Sequence, residues 1–465
     1  MCGIIGIYNF FSNTRINNEI QKGLQALQHR GQDSHGYLLD YKNQHKVIKH
    51  LGLIKPYTIL NSYKTALGHT RYATSKNTSS ENSIQPLLGN HSKLGDFYLI
   101  HNGNINNLEQ FNSNLDLDSD LNDSHMLVRY IENNSKSTFE EILTQLITEI
   151  NGIYNLLIYH PANDTVYALK DKFGNRPLCI GSNRRGYCIA SESVALLEYD
   201  YLREIKKGEL VRIDNNGEQS IFIHNGFSQV CLFEYIYLQK PDSLVSDKHI
   251  AIEYEKPNLT IMDIRKCFGK ELARKETYII NFSNRNNIVV IGAPNTGIPI
   301  GEAFAKKVEI PYQQFLQKKK GTHRSFIQKD TKSRLEECSK KFLRDTSIDI
   351  TNKIVFFVDD SLVRGNTIKS VINLLKSFNP KEIHFRISSP EVKYPCYNGI
   401  DIPTKEELIM NHYSIEEYIK ELEIQSLIFL STTEMEYVLQ KNVGFSKKDT
   451  CMSCFDGKYH PLLDF

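Results

Sequence analysis

The sequence predicts two folds in series: an α+β half of packed antiparallel sheets with helices outside, then an α/β half built on a parallel sheet. Three observations carry this prediction. Residues 2–228 are dominated by short strand-like runs separated by Gly, Asn and Asp. From about residue 260, buried strand patterns alternate with helical ones. Between these regions "GFSQVCLFEY" marks the join, leaving residues 229–465 to the second half.

In the first half "GIIGIYNF", "YNLLIYH" and "TVYALKD" supply the β-branched and aromatic residues that favour strands. Two helices interrupt them. One sets Ile20, Leu24 and Leu27 on a single face, and the other is "SHMLVRYI". The Asn- and Ser-rich stretches 75–83 and 112–124 read as loops. In the second half "NNIVVIGAP" is a buried strand leading into helical "GEAFAKK". "NKIVFFVDD" repeats the theme ahead of "TIKSVINLLKSF", and "IHFRISSP" is a further strand. Such parallel sheets bind ligands at the carboxyl ends of their strands.

The 465 residues suffice for two or three cores, and 40% hydrophobic with 24% charged residues is ordinary globular composition. A net charge of +2 gives no reason to expect nucleic acid or an anionic membrane as partner. No apolar run approaches the roughly 20 residues that span a bilayer. The opening run lacks a basic stretch before it and a small-residue cleavage site after it, so it does not read as a secretion signal. A soluble cytoplasmic protein is expected. Nine cysteines are too sparse for a disulfide scaffold and leave one unpaired.

"MCGIIGIYNF" puts a cysteine directly behind the initiator methionine. Only the thiolate is a good nucleophile, and an ordinary thiol is mostly protonated at neutral pH. Trimming Met1 would make Cys2 the first residue. A free α-amino group, with a pKa near ~8, would then lie within reach of its own thiol to take the proton.

"IVFFVDDSLVRGNT" is the most specific stretch in the chain. An apolar strand delivers Asp359 and Asp360 at its carboxyl end, and the loop from Ser361 to Thr367 feeds a helix. Backbone N–H groups of such a loop, backed by a helix N-terminus, form an anion site suited to phosphate. Gly365 permits close backbone approach, while Ser361 and Thr367 offer hydroxyls. The carboxylates can hold ribose hydroxyls and favour positive charge at an anomeric carbon.

In order along the first half come "LQHRGQDSHG", "GHTRYATS", "SENSIQP", "HNGNI" and "DKFGNRPL". Together with Cys2 they resemble the N-terminal nucleophile (Ntn) glutamine amidotransferases, an αββα sandwich whose cysteine releases ammonia from glutamine through a thioester. The resemblance implies that the Asn102 side chain and Gly103 N–H stabilise the oxyanion. It implies that Arg71 binds the substrate carboxylate and Asp123 its amino group, with Arg30 counted among the glutamine-binding residues at the edge of the pocket. His125 stands where that family usually has Glu.

The acidic stretch is similar to the phosphoribosyl pyrophosphate (PRPP) signature of type I phosphoribosyltransferases. "FEYIYLQKPDS", "IPYQQFLQKKKGTHRSFIQ", "RLEECSKKF" and "KYPCYNGID" extend the resemblance to the glutamine PRPP amidotransferase family nearly end to end. That family makes 5-phosphoribosylamine, the first committed step of purine synthesis. The likeness implies PRPP contacts from Asp359, Asp360, Ser361, Val363, Arg364, Gly365, Asn366 and Thr367. Thr296, Lys318, Arg324 and Lys341 join them, with Arg334 matching a further cation. Mg²⁺ is expected at Thr296, Asp359 and Asp360. Residues 316–327 match a loop that closes over the site. Asn295 replaces a usual acidic residue, and Gly321 a usual tyrosine.

Cys451-x-x-Cys454 alone reads as a redox pair, half a zinc site or a coincidence. In one branch of the family, cysteines matching Cys231, Cys396, Cys451 and Cys454 hold a [4Fe–4S] cluster. Spacing leaves structural Zn²⁺ open as the alternative. Cys179, Cys188, Cys267 and Cys338 read as packing. Family membership further implies feedback by purine nucleotides and a homotetramer. Two other readings compete: a relative sharing only the glutamine half, and a nucleotide-sensing regulator on a decayed fold. The acidic motif opposes the first; intact Cys2, Arg71, Asn102, Asp359 and Asp360 oppose the second.

Overall fold

A computed structural model describes residues 1–42, 44–72, 81–107, 122–245, 259–278, 285–318, 342–345, 347–402 and 404–463. Alternation in the opening strand sets the layers of the first half. Ile5 and Ile7 of β1 (Gly3–Asn13) pack with Ile20, Leu24 and Leu27 of helix α1 (Ile16–Leu27). Ile4 and Tyr8 point the other way, into a core shared with a second sheet.

The first sheet also contains β2 (Ser34–Asp40), β3 (Lys46–Leu51) and β4 (Tyr63–Arg71). The second begins with β5 (Leu87–His91), β6 (Gly95–Ile105), β7 (Gly152–His160) and β8 (Thr165–Lys170). β9 (Cys179–Asn183), β10 (Gly186–Ala190) and β11 (Asp200–Glu204) return to the first, and β12 (Glu209–Asp214) and β13 (Gly217–Ile223) to the second. The orders are β11-β9-β10-β1-β4-β2-β3 and β13-β12-β8-β7-β6-β5. Helices α2 (Asp123–Glu132) and α3 (Phe139–Glu149) bury Leu127, Ile131, Ile142 and Leu146 on the outer face of the second sheet. This is the expected αββα sandwich. Helix α2 starts at Asp123, inside the stretch expected to be loop, because the Asn122 side chain caps the backbone N–H groups of Ser124 and His125.

Strand β14 (Val230–Cys231) opens the second half. After helix α4 (Ile261–Arg274), β15 (Ile288–Gly292) and α5 (Gly297–Val308) come two short paired strands, β16 (Leu316–Lys318) and β17 (Phe342–Arg344). Next are β18 (Ile354–Asp359), α6 (Asn366–Lys376), β19 (Glu382–Ile387), α7 (Ile415–Leu422) and β20 (Ser426–Phe429). The parallel order is β15-β18-β19-β20. Both faces are covered: Val290, Phe356 and Val358 pack with α4, α5 and α8 (Thr432–Val443), while Val355 and Phe357 pack with α6 and α7. Finally β21 (Thr450–Cys451) returns to pair with β14 in parallel.

Candidate active sites

The register of three strands and one helix end brings five sequence-predicted residues into one cavity. Cys2 precedes β1, Arg71 ends β4, Asn102 and Gly103 lie on β6, and Asp123 begins α2; all five line it. The Cys2 backbone N–H donates to Asn102 Oδ1 at 3.2 Å. That leaves Asn102 Nδ2 buried without a partner, on a residue that lines the same cavity as Cys2. Only glycine fits at 103, since a Cβ there would lie 2.0 Å from the Ile153 carbonyl oxygen of β7.

A buried polar floor, not singled out in the sequence, supports this cavity. Gln85 Nε2 donates to Ser124 Oγ at 2.9 Å, and Gln85 Oε1 accepts the His101 backbone N–H at 2.6 Å. His101 Nδ1 lies 3.0 Å from Ser124 Oγ and 3.8 Å from an Asp123 oxygen. Burial lowers the His101 pKa, with Asp123 opposing, so the imidazole stays neutral at pH 7. His125 turns to Asn122 Oδ1 at 2.9 Å and does not line the cavity, so the departure from Glu falls at a helix cap.

Arg30 is not brought to this cavity, contrary to its expected place among the glutamine-binding residues. Its Nη1 lies 2.5 Å from Glu192 Oε1 and its Nη2 2.7 Å from Glu234 Oε1, while Nε donates to the Cys2 carbonyl at 3.1 Å. Two buried carboxylates consume the guanidinium. The Met1 amine is enclosed at the same place. Burial pulls its pKa down to about 5, with the Cys2 thiol raising it and Arg176 and Arg30 lowering it.

At the carboxyl edge of the parallel sheet, Asp360 sits between hydroxyls. Ser361 Oγ donates to its Oδ2 at 2.7 Å and Thr296 Oγ1 bonds its Oδ1. Asp359 accepts the Asp360 N–H at 2.8 Å; burial and the adjacent Asp360 raise its pKa well above the carboxylate range. The loop then enters α6 through Gly365 at φ +76°, ahead of Asn366 and Thr367. Two loop residues point elsewhere. The Val363 side chain is in the core, and Arg364 Nε donates to Glu407 at 2.6 Å with Asp401 3.8 Å from Nη2. Asn295 is exposed at φ +75°, a left-handed conformation that asparagine tolerates. Arg324, Arg334, Lys341, Gly321 and the Lys318 side chain lie outside the described residues.

A second cavity adjoins the first, its walls mixing Phe233, Leu238, Ile400 and Ile402 with His29, Arg30, Gln32 and Asp401. Met1 and Tyr72 line both cavities. Tyr72 donates to Asp401 at 2.8 Å, and Asp401 faces Arg364 of the acidic loop. Tyr72 and Asp401 both fall in quoted motifs, yet nothing in the sequence pairs them.

The four motif cysteines converge. Cys231 and Cys451 are opposite each other in the β14–β21 pair. The Cys454 carbonyl accepts N–H bonds from Lys393 and Tyr394, just ahead of Cys396. Burial raises the pKa values of Cys231, Cys396 and Cys454, and Cys451 adds to each. Among the described residues no group of three or more His, Cys, Asp or Glu is placed to hold a metal ion. Cys179, Cys188 and Cys267 are core residues, as expected, and Cys338 lies outside the described residues.

Known proteins give this geometry a family. The glutamine amidotransferase domain family matches residues 69–198 and the phosphoribosyl transferase domain family residues 269–389. The amidophosphoribosyltransferase of Methanocaldococcus jannaschii is 30% identical across 100% of this chain and 98% of its own. This chain belongs to the amidophosphoribosyltransferase family. The Bacillus subtilis amidophosphoribosyltransferase is 31% identical over 98% of this chain and 94% of its own. Among solved structures, the B. subtilis glutamine PRPP amidotransferase complexed with ADP and GMP superposes with a TM-score of 0.82 at 30% identity, covering 98% of this chain and 97% of its own. An allosteric regulatory enzyme of purine biosynthesis gives a TM-score of 0.84 at 29% identity, covering 98% and 96%. The family's fold is the predicted pair, an Ntn glutamine amidotransferase and a type I phosphoribosyltransferase with its parallel sheet. Its reaction is the glutamine-dependent amination of PRPP in purine biosynthesis. No helix among the described residues is long and apolar enough to cross a membrane.

Proposed function

We propose that Cys2, freed as the first residue by removal of Met1, is the nucleophile that draws ammonia from glutamine for transfer to C1 of PRPP. The observation that carries this reading is the shared cavity of Cys2, Arg71, Asn102, Gly103 and Asp123, with one donor of Asn102 buried and unpartnered. The α-amine of Cys2 takes the thiol proton and returns it to the departing ammonia. Asn102 Nδ2 and the Gly103 N–H receive the oxyanion, Arg71 holds the α-carboxylate and Asp123 the α-ammonium. Water then frees glutamate from the thioester. Ammonia passes by way of the second cavity, which shares Met1 and Tyr72 with the first, to the anomeric carbon beside Asp359 and Asp360.

PRPP rests on the loop 361–367, with ribose hydroxyls on the two carboxylates. Mg²⁺ would be held by Asp359, Asp360 and Thr296, and when bound it neutralises the leaving pyrophosphate. Two carboxylates suit Mg²⁺, which completes its shell with water and phosphate oxygens. Cys231, Cys396, Cys451 and Cys454 would hold a [4Fe–4S] cluster as a structural clamp; their all-thiol chemistry fits it. Four thiolates also suit a structural Zn²⁺, which is the alternative occupant. The lobe boundary falls between residues 228 and 229, purine nucleotides inhibit, and the enzyme works as a cytoplasmic homotetramer.

The test is Cys2→Ala, assayed for pyrophosphate release from PRPP with glutamine or with ammonia. The variant is expected to lose the first reaction and keep the second. Loss of both, or of neither, overturns the division of labour.

A further inference from the structure

We propose that Glu234, from the second half of the chain, is a positioning residue for the Cys2 nucleophile, so that the glutamine site is complete only when both halves are packed together. This rests on the reading of Cys2 given above. Glu234 is 1% exposed and opens a π-helical turn, Glu234–Leu238, just past the join between the halves. Its carboxylate is shared by two guanidiniums of the first half.

The first is Arg30, whose Nη2 and Nη1 lie 2.7 Å and 3.2 Å from the two Glu234 oxygens. This bidentate fork fixes the guanidinium plane. With its plane fixed, Arg30 directs Nε to the Cys2 carbonyl at 3.1 Å. The second is Arg176, whose Nη1 lies 3.2 Å from Glu234 Oε1. Its Nη2 donates to the Asn398 carbonyl at 2.5 Å. The next residue, Gly399, is a wall of the Cys2 cavity, and a Cβ there would lie 3.7 Å from the Gly103 carbonyl carbon. One carboxylate therefore steadies both the backbone of the nucleophile and the wall facing the oxyanion donor.

Charge makes the role specific. The buried Arg30 and Arg176 face the buried Glu192 and Glu234, and His29 Nε2 also lies 2.7 Å from Glu192 Oε1. Glu192 touches Arg30 at Nη1 only and is itself held by Ser243 Oγ at 2.7 Å and the Lys240 N–H at 2.9 Å, both from the second half. Neutralising Glu234 removes the carboxylate that the two guanidiniums share and releases the fork, so Arg30 is free to swing on Glu192, which His29 also engages. No bond of Glu234 among the described residues reaches Asp359, Asp360 or the loop 361–367, so the PRPP reaction does not depend on it directly.

The experiment compares Glu234→Gln and Glu234→Asp in the full chain, assaying each preparation with glutamine and with ammonia, alongside Cys2→Ala. A displacement near 1 Å at a reacting group costs about 10²-fold, so Glu234→Gln is expected to lower glutamine-dependent kcat/KM by about that factor, with the ammonia-dependent rate held within about twofold. Glu234→Asp keeps the charge but reaches one guanidinium less well, and is expected to show a smaller loss of the same selectivity. If Glu234→Gln does not fold, the selective loss in Glu234→Asp decides. Proportional loss of both activities marks a purely structural carboxylate, and unchanged glutamine use in the folded variants marks an idle one; either result overturns the proposal. If Cys2→Ala itself still uses glutamine, the underlying assignment of the nucleophile has failed instead.

Discussion

Asn102 divides its amide between two tasks: Oδ1 takes the Cys2 N–H, and Nδ2 is left buried and unpartnered in the same cavity. Asn102→Asp preserves the shape and removes that donor. Its glutamine kcat is expected to fall by about 10²–10³-fold, read as glutamate formed, with ammonia-dependent synthesis intact. The amine at the tip gives a second prediction, concerning pH. In unfolded chains it holds its proton up to a pKa of 8.0, but in the folded chain that retains Met1 only below about 5. Between these values the unfolded state binds more protons, so stability rises with pH across that window. The thermal midpoint of Met1-retaining protein should therefore climb from pH 5 to 8 more steeply than that of the same chain acetylated at its N-terminus. At this scale the sequence was legible where a motif carries a group that lines the cavity, as with Cys2, Arg71, Asn102, Gly103 and Asp123. It misplaced Arg30 because a guanidinium in a motif does not show its partners, Glu192 and Glu234, which stand 162 and 204 residues away. Glu234 and Tyr72 were invisible for the same reason.

Strand β18, the loop after it and helix α6 form one device, hinged on a glycine. Gly365 holds φ +76°, and a Cβ there would lie 2.7 Å from the Tyr418 hydroxyl. Gly365→Ala would strain the backbone by roughly 1–2 kcal/mol and push the loop off α7. The expected result is a raised KM for PRPP with both nitrogen donors and a modest drop in melting temperature. Equal PRPP affinity in parent and variant would show that the left-handed turn does not shape the phosphate site. Elements such as β18 were readable because Val355 and Phe357 face one helix layer while Phe356 and Val358 face the other, giving a continuous apolar run. Strands such as β3 and β11 were not readable. β3 buries only Ile48 among its six residues and β11 none of its five, so both owe their existence to neighbours in the sheet. The start of α2 was missed because asparagine-rich composition signals a loop, whereas Asn122 here caps a helix.

Across the whole molecule, the cysteine quartet and the glutamine site share a wall. Cys396 is followed by Tyr397, whose carbonyl accepts from Asn104 at 3.1 Å, by Asn398, held by Arg176, and by Gly399, which lines the Cys2 cavity. Asn398 also donates to Cys451 Sγ at 3.7 Å. Four dispersed cysteines could be matched to a motif in sequence, but their link through residues 397–399 to the Cys2 cavity depends on β21 returning to β14. The buried thiols, raised by burial and by one another, stay protonated at neutral pH. Loading of the proposed metal group would therefore release protons and tighten as pH rises. Protein purified without oxygen is expected to contain iron and acid-labile sulfide in equal amounts. Cys454→Ser should lose both and expose the amides of 396–402 and 450–456 to hydrogen exchange. Because the wall then loosens, glutamine-dependent synthesis should fall further than ammonia-dependent synthesis in that variant. Bound zinc without sulfide in the parent would reassign the metal and leave the clamp standing, whereas unchanged exchange at 396–402 in Cys454→Ser would detach the quartet from the Cys2 site altogether.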